Sequence, residues 1–297
     1  MAGSDLAAAL VDHASARQGV PLAPMMHLRI GGPAEWFVEP FDEEGVAATV
    51  RACRERDLPM RILGGGSNVV VADQGVPGVV VHLGNLNRMQ REGRRVTVGG
   101  GVTMASLLRS TREAGLAGLE KLTGIPAEVG GAVAMNAGTR DGETFEHLVS
   151  LTVVEPDGRI AIRSQEDFQP RYRDGALGGA VVVQATFELA EDRPDAIFER
   201  FSASLQKRNA SQPVTQRSVG CVFQNPEGDA AGRLIQEAGC KTLRRNGVQV
   251  SDKHANYFVN DDTGTAADFV ALMDEVRSRV QQSFGVELRA EVKFWGF

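Results

Sequence analysis

Two glycine-rich stretches, each beside short runs rich in Val and Ile, decide the fold. The first is Ile62-Leu63-Gly64-Gly65-Gly66-Ser67-Asn68-Val69-Val70-Val71. The second is Gly124-Ile125-Pro126-Ala127-Glu128-Val129-Gly130-Gly131-Ala132-Val133-Ala134-Met135-Asn136-Ala137-Gly138. Glycine permits positive φ and lets main chain approach a ligand closely. Each stretch alone could be a tight turn, but their clustering favours loops that lie against a bound group.

The two stretches suit different parts of a ligand. Consecutive N–H groups at Gly64, Gly65 and Gly66 can form an anion nest, and Ser67 and Asn68 add donors, which suits a pyrophosphate. Small residues from Gly124 to Gly138 would let main chain lie flat on a planar cofactor, with the Asn136 amide at its ring edge. Neither GxGxxG nor GxxxxGK[ST] occurs, so a dinucleotide would have to bind in another way.

Composition limits the partners. The 297 residues predict two or three domains. Lys and Arg total 32 against 38 for Asp and Glu, and without a basic run the formal charge of −6 argues against nucleic acid. No apolar run approaches the roughly 20 residues of a membrane span. Met1-Ala2-Gly3-Ser4-Asp5 lacks the basic stretch of a secretory signal, so we expect a cytoplasmic protein with no membrane and no evident protein partner.

Cysteine and histidine give no metal signature. Cys53, Cys221 and Cys240 are odd in number and widely spaced, and the five histidines are scattered. The pattern predicts neither a disulfide framework nor a metal site, and it predicts at least one free thiol.

Hydrophobic periodicity predicts a mixture of helices and strands. Helices are predicted at Ser4–Ala16 with a Ser cap, Glu43–Arg56, Met104–Glu113, from about Asp195, and Ala266–Phe284 capped by Thr265 and Asp268. Strands are predicted at Ala34–Val38, Met60–Leu63, Asn68–Val71, Val79–Leu83, Val96–Val98, Leu151–Glu155, Ile160–Ile162 and Ala180–Leu189. The acidic stretch Glu188–Pro194 is the best candidate for a domain boundary.

Three further segments carry reactive or charged side chains. Arg171-Tyr172-Arg173-Asp174-Gly175 is typical of a solvated turn. Gly220-Cys221-Val222-Phe223-Gln224-Asn225-Pro226 predicts a short strand with Cys221 at its start, where an inert buried thiol is the ordinary interpretation. The alternating run from Glu287 to Phe294 predicts a strand whose apolar face is Leu288, Ala290, Val292 and Phe294 and whose polar face could line a cleft.

The order of these motifs resembles the MurB family, the UDP-N-acetylenolpyruvoylglucosamine reductases of peptidoglycan synthesis, in its shorter second type. Single motifs are weak, but their common order is specific. The matching segments are Leu28–Ala34, Gly64–Asn68, Gly124–Gly138, Tyr172-Arg173, Arg208–Pro213, Ser218–Pro226, Ala231–Ile235, Val250–Asn256 and Glu291–Lys293.

The resemblance implies an α+β fold. An FAD-binding region of the vanillyl-alcohol-oxidase (PCMH) type would occupy residues 1–192, as two α/β subdomains split near 70–80. A smaller α+β substrate domain would occupy 193–297. The family uses FAD and NADPH: NADPH reduces the flavin, leaves, and is replaced by the enolpyruvyl ether of UDP-N-acetylglucosamine, which is reduced to UDP-N-acetylmuramate.

The resemblance also implies site residues. The cofactor would contact Gly64, Gly65, Gly66, Ser67, Asn68, Gly124, Ile125, Gly130, Gly131, Asn136 and Gly138. Cys221 stands where the family has a serine that protonates the substrate carbon, and a thiol is the stronger acid of the two. Arg173 and Glu291 match the residues placed against the substrate carboxylate, with Glu291 protonated or acting through a water.

Binding residues and departures from the family complete the expectation. Tyr172, Arg208 and Asn225 match positions expected to bind the substrate. Departures occur at Ala127, Thr139–Asp141, Met26-His27 and Gln224, all in the flavin or substrate surroundings. Two alternatives stay open: another flavin oxidase of the same fold acting on a small hydroxy acid or alcohol, and a flavin- and nucleotide-sugar-binding protein without turnover.

Overall fold

A computed structural model describes residues 4–297, with side chains from Leu6 onward. Its helices are α1 (Ser4–Ala9), α2 (Glu43–Glu55), α3 (Met104–Glu113), α4 (Val129–Ala134), α5 (Pro194–Ser211), α6 (Ala231–Glu237) and α7 (Ala266–Phe284). Its strands are β1 (Ala14–Pro21), β2 (Pro33–Pro40), β3 (Met60–Leu63), β4 (Val69–Val71), β5 (Val76–His82), β6 (Met89–Glu92), β7 (Arg95–Gly99), β8 (Leu116–Ala117), β9 (Leu148–Val154), β10 (Ile160–Ser164), β11 (Val181–Glu188), β12 (Ala190–Glu191), β13 (Arg217–Cys221), β14 (Arg244–Arg245), β15 (Val248–Val250), β16 (Tyr257–Asn260) and β17 (Lys293–Trp295).

Most predicted elements are confirmed, and those at Met60–Leu63, Met104–Glu113 and Ala266–Phe284 are confirmed to the residue. The capping box of Thr265 and Asp268 is present on α7. The cap predicted at Ser4 involves a side chain outside the described ones, and the signal prediction rests partly on residues 1–3, which also lie outside the described range.

Three predictions of secondary structure were wrong. The predicted helix Ser4–Ala16 ends at Ala9, because the residues from Ala14 pair with β2 in a sheet. Cys221 is the last residue of β13 rather than the first of a strand. The run from Glu287 to Phe294 buries Leu288 and Val292 as predicted, but a regular strand begins only at Lys293.

The described chain divides into two compact units, each built from separate segments. Unit 1 comprises residues up to Gly19, Glu35–Gly65 and Gly78–Gln206. Unit 2 comprises Val20–Ala34, Gly66–Pro77 and Lys207–Phe297. The boundary predicted at residues 192 and 193 stays a prediction.

The described part of unit 1 contains two larger sheets, the small pair β12-β8 and two hydrophobic cores. One sheet has the order β1-β2-β5-β3, and the other is antiparallel with the order β10-β9-β11-β7-β6. The apolar face of α2 belongs to the core around the first sheet. Helices α3 and α4 belong to the core of the second, where burial of each large apolar side chain contributes roughly 1.5 to 3 kcal/mol. The predicted split near 70–80 stays a prediction.

Unit 2 has one core, built around an antiparallel sheet of order β13-β16-β15-β14. The apolar stripe of α7 at Phe269, Leu272 and Val276 packs into this core. A separate parallel pair joins β17 to β4. Among residues 4–297, no helix is both long and apolar enough to cross a membrane.

Candidate active site

The two glycine-rich stretches meet in unit 1. Strand β3 ends at Leu63, and Gly64 and Gly65 follow it directly. A methyl group added at Gly64 would lie 3.8 Å from the Glu128 Cβ atom and from the Gly131 Cα atom. One added at Gly65 would lie 3.6 Å from the carbonyl oxygen of Pro126. The fold therefore brings together two segments that the sequence predicts to share a ligand.

Three of the predicted cofactor-binding glycines pack against protein main chain. Gly66 has a φ of +64°, and a methyl group there would lie 2.4 Å from the Met25 carbonyl oxygen. At Gly130 the added methyl would lie 3.1 Å from the Gly100 carbonyl oxygen, and at Gly138 a neighbouring carbonyl stands at 2.8 Å. These positions need glycine for close packing, whatever else they contact.

Gly131 is different, because its Cα hydrogen faces open space. A methyl group added there would meet no described atom within 4 Å, although Gly64 and Gly65 stand on the facing loop. We call the open space at Gly131, beside Gly64 and Gly65, the glycine slot. Gly124 has a φ of +80°, which favours glycine, and the half-buried Ile125 packs against the core.

The side-chain amide of Asn136 is hydrogen-bonded to other residues of the protein. Its side-chain Nδ2 donates to Glu143 Oε2 at 2.7 Å and to the Arg171 carbonyl oxygen at 3.3 Å. Its Oδ1 accepts from the Phe145 N–H at 3.4 Å. Both amide hydrogens are engaged, which speaks against the predicted reading of a ring edge by this side chain. A contact of Asn136 with a cofactor would use its main chain or the second lone pair of its Oδ1 atom.

The loop of residues 171–175 is fastened to the end of the second glycine-rich stretch. Besides the bond from Asn136, the Gly175 N–H donates to the Ala134 carbonyl oxygen at 3.0 Å. Within this tight reversal Arg173 takes a φ of +59°, and its guanidinium lies 4.6 Å from the centre of the half-exposed Tyr172 ring. The loop that the sequence predicts to be a solvated turn therefore holds Arg173 beside the end of the second glycine-rich stretch.

An ionic cluster of the buried Glu128 with the half-buried His82 and Glu39, which sequence analysis missed, lies beside the glycine slot. His82 Nε2 lies 3.4 Å from Glu128 Oε1, and His82 Nδ1 lies 3.6 Å from Glu39 Oε1. The hydrogen bond to Glu128 raises the pKa of His82, burial opposes this effect, and Glu39 adds to the rise. Glu128 lies within the second glycine-rich stretch, but the other members of the cluster, His82 on β5 and Glu39 on β2, are distant from it in sequence.

In unit 2, the polar end of the first glycine-rich stretch is hydrogen-bonded to the segment around Glu291. The side-chain amide of Asn68 donates to the Glu291 carbonyl oxygen at 3.3 Å, and the Lys293 N–H donates to the Asn68 carbonyl oxygen at 3.0 Å. Half-buried Ser67 precedes Asn68. The parallel pairing of β4 with β17 thus brings the loop next to a predicted catalytic residue.

Cys221 also lies next to Glu291 in unit 2. The main-chain N–H of Glu291 donates to the carbonyl oxygen of Val222, the residue after Cys221, at 2.8 Å. Gly220, with a φ of +75°, precedes Cys221 at the end of β13, where the pairing with β16 is irregular. Cys221 is half-buried, whereas Cys53 and Cys240 are buried, and burial raises the pKa of the Cys53 thiol to about 11.

A buried asparagine holds the segment after Cys221. Asn256 Oδ1 accepts from the Phe223 N–H at 2.9 Å, and Asn256 Nδ2 donates to the Phe223 carbonyl oxygen at 2.7 Å. The Val222 N–H donates to the Asn256 carbonyl oxygen at 2.8 Å. These bonds replace the sheet ladder that ends at Cys221, which explains why the predicted strand stops there.

Two cavities of unit 2 lie beside the predicted substrate-binding residues. One, of about 330 Å³, is lined by Gln224, Asn225, Pro226, Glu227, Glu287 and Arg289. Asn225 also accepts from the Ala231 N–H at 3.0 Å, at the start of α6. The other, of about 350 Å³, is lined by Asn209, Gln212, Pro213, Val214, Thr215, Gln216, Asp252 and Lys253. Arg208 is next to this lining in sequence, and its buried Nε atom has no partner among the described residues.

Both the N-terminal and the C-terminal part of the chain match known protein families. Residues 34–162 match the family model of an FAD binding domain, and residues 212–295 match the C-terminal domain of UDP-N-acetylenolpyruvoylglucosamine reductase. A reductase of that name from Heliobacterium modesticaldum is 43% identical over 94% of this chain and 90% of its own length. One from Moorella thermoacetica is 40% identical over 93% of this chain and 92% of its own length.

Solved structures agree with these matches. The crystal structure of UDP-N-acetylenolpyruvylglucosamine reductase (MurB) from Thermus caldophilus superposes with a TM-score of 0.82 at 35% identity, over 95% of this chain and 98% of that chain. A variant of berberine bridge enzyme superposes with a TM-score of 0.54 at 16% identity, over 64% of this chain and 44% of that chain, a likeness of fold alone.

An FAD-binding domain of the vanillyl-alcohol-oxidase (PCMH) type, followed by a smaller α+β domain, defines a two-domain flavoprotein, as predicted. The C-terminal match and the relatives over most of its length then decide the family. The chain belongs to the MurB family of UDP-N-acetylenolpyruvoylglucosamine reductases.

Proposed function

We propose that the chain uses NADPH and FAD to reduce the enolpyruvyl ether of UDP-N-acetylglucosamine to UDP-N-acetylmuramate, in peptidoglycan precursor synthesis. The observation that carries the proposal is the family match along nearly the whole chain, including the C-terminal domain. The position of Cys221 beside Glu291 in unit 2 supports it.

The residues present fit FAD. The glycine slot is open space bordered by glycine main chain, and Glu128 leaves a buried carboxylate oxygen without a partner among the described residues. Gly64, Gly65 and Gly131 would hold the cofactor through main chain in unit 1, and Ser67 and Asn68 supply polar side chains in unit 2. Bound FAD supplies the chemistry of accepting hydride from NADPH and delivering it to the substrate.

In this proposal Arg173 binds the carboxylate of the enolpyruvyl group. Hydride addition to the vinyl carbon places negative charge on that carboxylate, and a guanidinium stabilises it with charge-assisted hydrogen bonds. The tight loop that is fastened to Ala134 and Asn136 fixes the backbone of Arg173 before the substrate arrives. Tyr172, stacked on the guanidinium, restricts its orientation further.

Cys221 donates the proton that completes the reduction. The carbon next to the carboxylate becomes carbanion-like, and a thiol, with a reference pKa of about 8.5, can protonate it as a general acid. The bonds of Val222 and Phe223 to Asn256 and Glu291 fix the main chain that carries this thiol. Glu291 acts as a protonated carboxyl, or through a water, on the same developing charge.

Arg208 and Asn225 belong to the proposal as substrate-binding residues. Asn225 lines a cavity of unit 2, and the buried Nε atom of Arg208 is a donor that an oxygen of the nucleotide sugar would satisfy. Arg289 and Lys253 also line the two cavities described in unit 2 and were not predicted.

Two half-reactions test the proposed function. Without oxygen, NADPH should bleach the flavin of the purified yellow protein, and the enolpyruvyl nucleotide sugar should restore the flavin colour with formation of UDP-N-acetylmuramate. A flavin that NADPH bleaches and that only oxygen restores contradicts the proposal and favours the oxidase alternative. The cytoplasmic location predicted from the sequence also stays a proposal, which fractionation of cells producing the chain tests.

A further inference from the structure

Glu128 carries an oxygen atom that the protein does not use. The residue is 9% exposed, and its Oε1 atom lies 3.4 Å from His82 Nε2. Its Oε2 atom is buried and has no hydrogen-bond partner among the described residues. A buried charged acceptor without a donor destabilises a protein, so such an atom requires an explanation.

Glu155, also in unit 1, provides a contrast. It is 8% exposed, and both of its carboxylate oxygens accept from the guanidinium of Arg163. The fold is therefore able to satisfy a buried glutamate completely. At Glu128 it satisfies one oxygen and leaves the other toward Gly64, 3.8 Å from where a methyl group on that glycine would lie. The unused oxygen thus borders the glycine slot.

The neighbours of Glu128 form a network of alternating cations and carboxylates. His82 is flanked by Glu128 and Glu39, and Arg17 Nη2 lies 2.6 Å from Glu39 Oε2. Two cations and two carboxylates make this cluster neutral when His82 is protonated, and the raised pKa of His82 agrees with that state. A carboxylate accepts hydrogen bonds and repels phosphate, so the group that meets it must be an O–H or N–H donor.

We propose that Glu128 is a cofactor-binding residue whose free oxygen accepts a hydrogen bond from an O–H or N–H donor of FAD, held in place by His82 and Glu39. The inference rests on the FAD binding of the proposed function and adds a specific acceptor to it. FAD offers such donors in both halves: the flavin with its ribityl chain, and the adenosine. Such an acceptor would not bind the pyrophosphate of FAD, because both groups carry negative charge.

Removing the Glu128 carboxylate should affect the affinity for FAD and the stability of the protein differently. In Glu128→Ala, FAD should bind about tenfold to a hundredfold more weakly, the range for losing one hydrogen bond to a charged group. The melting temperature of the protein freed of FAD should fall less than in Glu155→Ala, because the loss of the pairing with His82 is offset by the removal of a stranded acceptor. Glu128→Gln keeps an acceptor oxygen and should recover part of the lost affinity.

The matched control is Glu155→Ala. It removes an equally buried glutamate with satisfied oxygens, so the melting temperature should fall while FAD affinity is kept. FAD binding is measured by flavin fluorescence on the full chain, and calorimetry with FMN and with ADP shows which half of the cofactor loses affinity in Glu128→Ala. A loss with either half supports the proposal and identifies the donor.

Three results would overturn the inference: unchanged FAD affinity in Glu128→Ala, Gln as weak as Ala at position 128, or no loss with either FMN or ADP. None of these readouts needs turnover. A failure of the proposed reaction, in which bound flavin never reduces the enolpyruvyl substrate, would therefore be recognised separately.

Discussion

The glycine slot of unit 1 and the Cys221 segment of unit 2 are built in opposite ways. The slot exists because side chains are absent at Gly64, Gly65 and Gly131. The Cys221 segment is held because one buried side chain, Asn256, bonds both polar groups of Phe223. Added atoms should therefore harm the slot without unfolding the protein, whereas lost atoms should harm the Cys221 segment and its stability together.

The largest effect is expected on the unit 2 side, at the thiol. Cys221→Ala should lower the reduction of the enolpyruvyl substrate by about 10²- to 10⁴-fold, the usual contribution of a general acid, and leave reduction of the flavin by NADPH nearly unchanged. Stopped-flow absorbance measures both steps. Cys53→Ala is the control because that thiol is buried. Normal turnover in protein shown to be alkylated at Cys221 contradicts the assignment.

On the unit 1 side, Arg173→Met should lower kcat by about 10²- to 10³-fold, as expected for the loss of one preorganised charged donor. Arg171→Met is matched to it, because Arg171 is exposed in the same loop and contributes its carbonyl oxygen to Asn136. Steady-state kinetics on both variants checks this. Equal losses in the two would mean that the loop itself, rather than the Arg173 guanidinium, matters.

A stability effect sharpens the comparison. Asn256→Ala should lower the free energy of unfolding by about 2 to 4 kcal/mol, because the N–H and carbonyl of Phe223 would both lose buried partners. Urea unfolding measures this. Asn209→Ala, at an exposed position of the same unit, should change the unfolding free energy little. A similar value for both variants would show that the segment does not depend on Asn256.

A substitution in the slot should act with the opposite sign. Gly131→Ala should leave the cofactor-free protein as stable or more stable by about 0.5 to 1 kcal/mol, since alanine favours a helix and meets open space in α4. FAD affinity should fall, because the methyl group occupies the slot. Gly130→Ala faces the Gly100 carbonyl at 3.1 Å and should lose stability instead. Flavin fluorescence and thermal unfolding of both variants check the pair.

The smallest effect concerns pH, and its sign differs between the units. The raised pKa of His82 means that its stabilising contribution is complete below the pKa of an unfolded histidine and is lost as pH rises through the folded value. The pKa of His27 in unit 2 is lowered by burial and by Arg29, so its unfavourable contribution grows as pH falls. Urea unfolding at acidic and neutral pH measures this. The fall in unfolding free energy with rising pH should be smaller in His82→Asn, and the fall with decreasing pH should be smaller in His27→Asn.

The sequence predicted those elements of the fold that are determined by residues close together in the chain. The helix Ala266–Phe284 was predicted to the residue, because its apolar stripe and its capping box are both local patterns. The helix predicted at Ser4–Ala16 failed after Ala9, since pairing in a sheet overrides helix propensity there. The convergence of the two glycine-rich stretches came from resemblance to a family rather than from periodicity.

Side-chain partners across the fold could not be predicted. His82 and Glu128 stand far apart in the sequence, and nothing in the glycine-rich stretch that contains Glu128 indicates a histidine partner. The engagement of the Asn136 amide depends on Glu143 and on a carbonyl at Arg171, which the fold alone brings near. The end of β13 at Cys221 depends on Gly220 and an irregular pairing, which hydrophobic alternation does not record.

The parallel pair of β4 and β17 has a consequence for biosynthesis. The Ala72 N–H donates to the carbonyl oxygen of Trp295, so β4 is completed by a strand that is synthesised much later. Contacts of such sequence separation form slowly. Strand β4 therefore cannot form this pairing until β17 has been synthesised, and we expect unit 2 of the nascent chain to resist proteolysis only after that point.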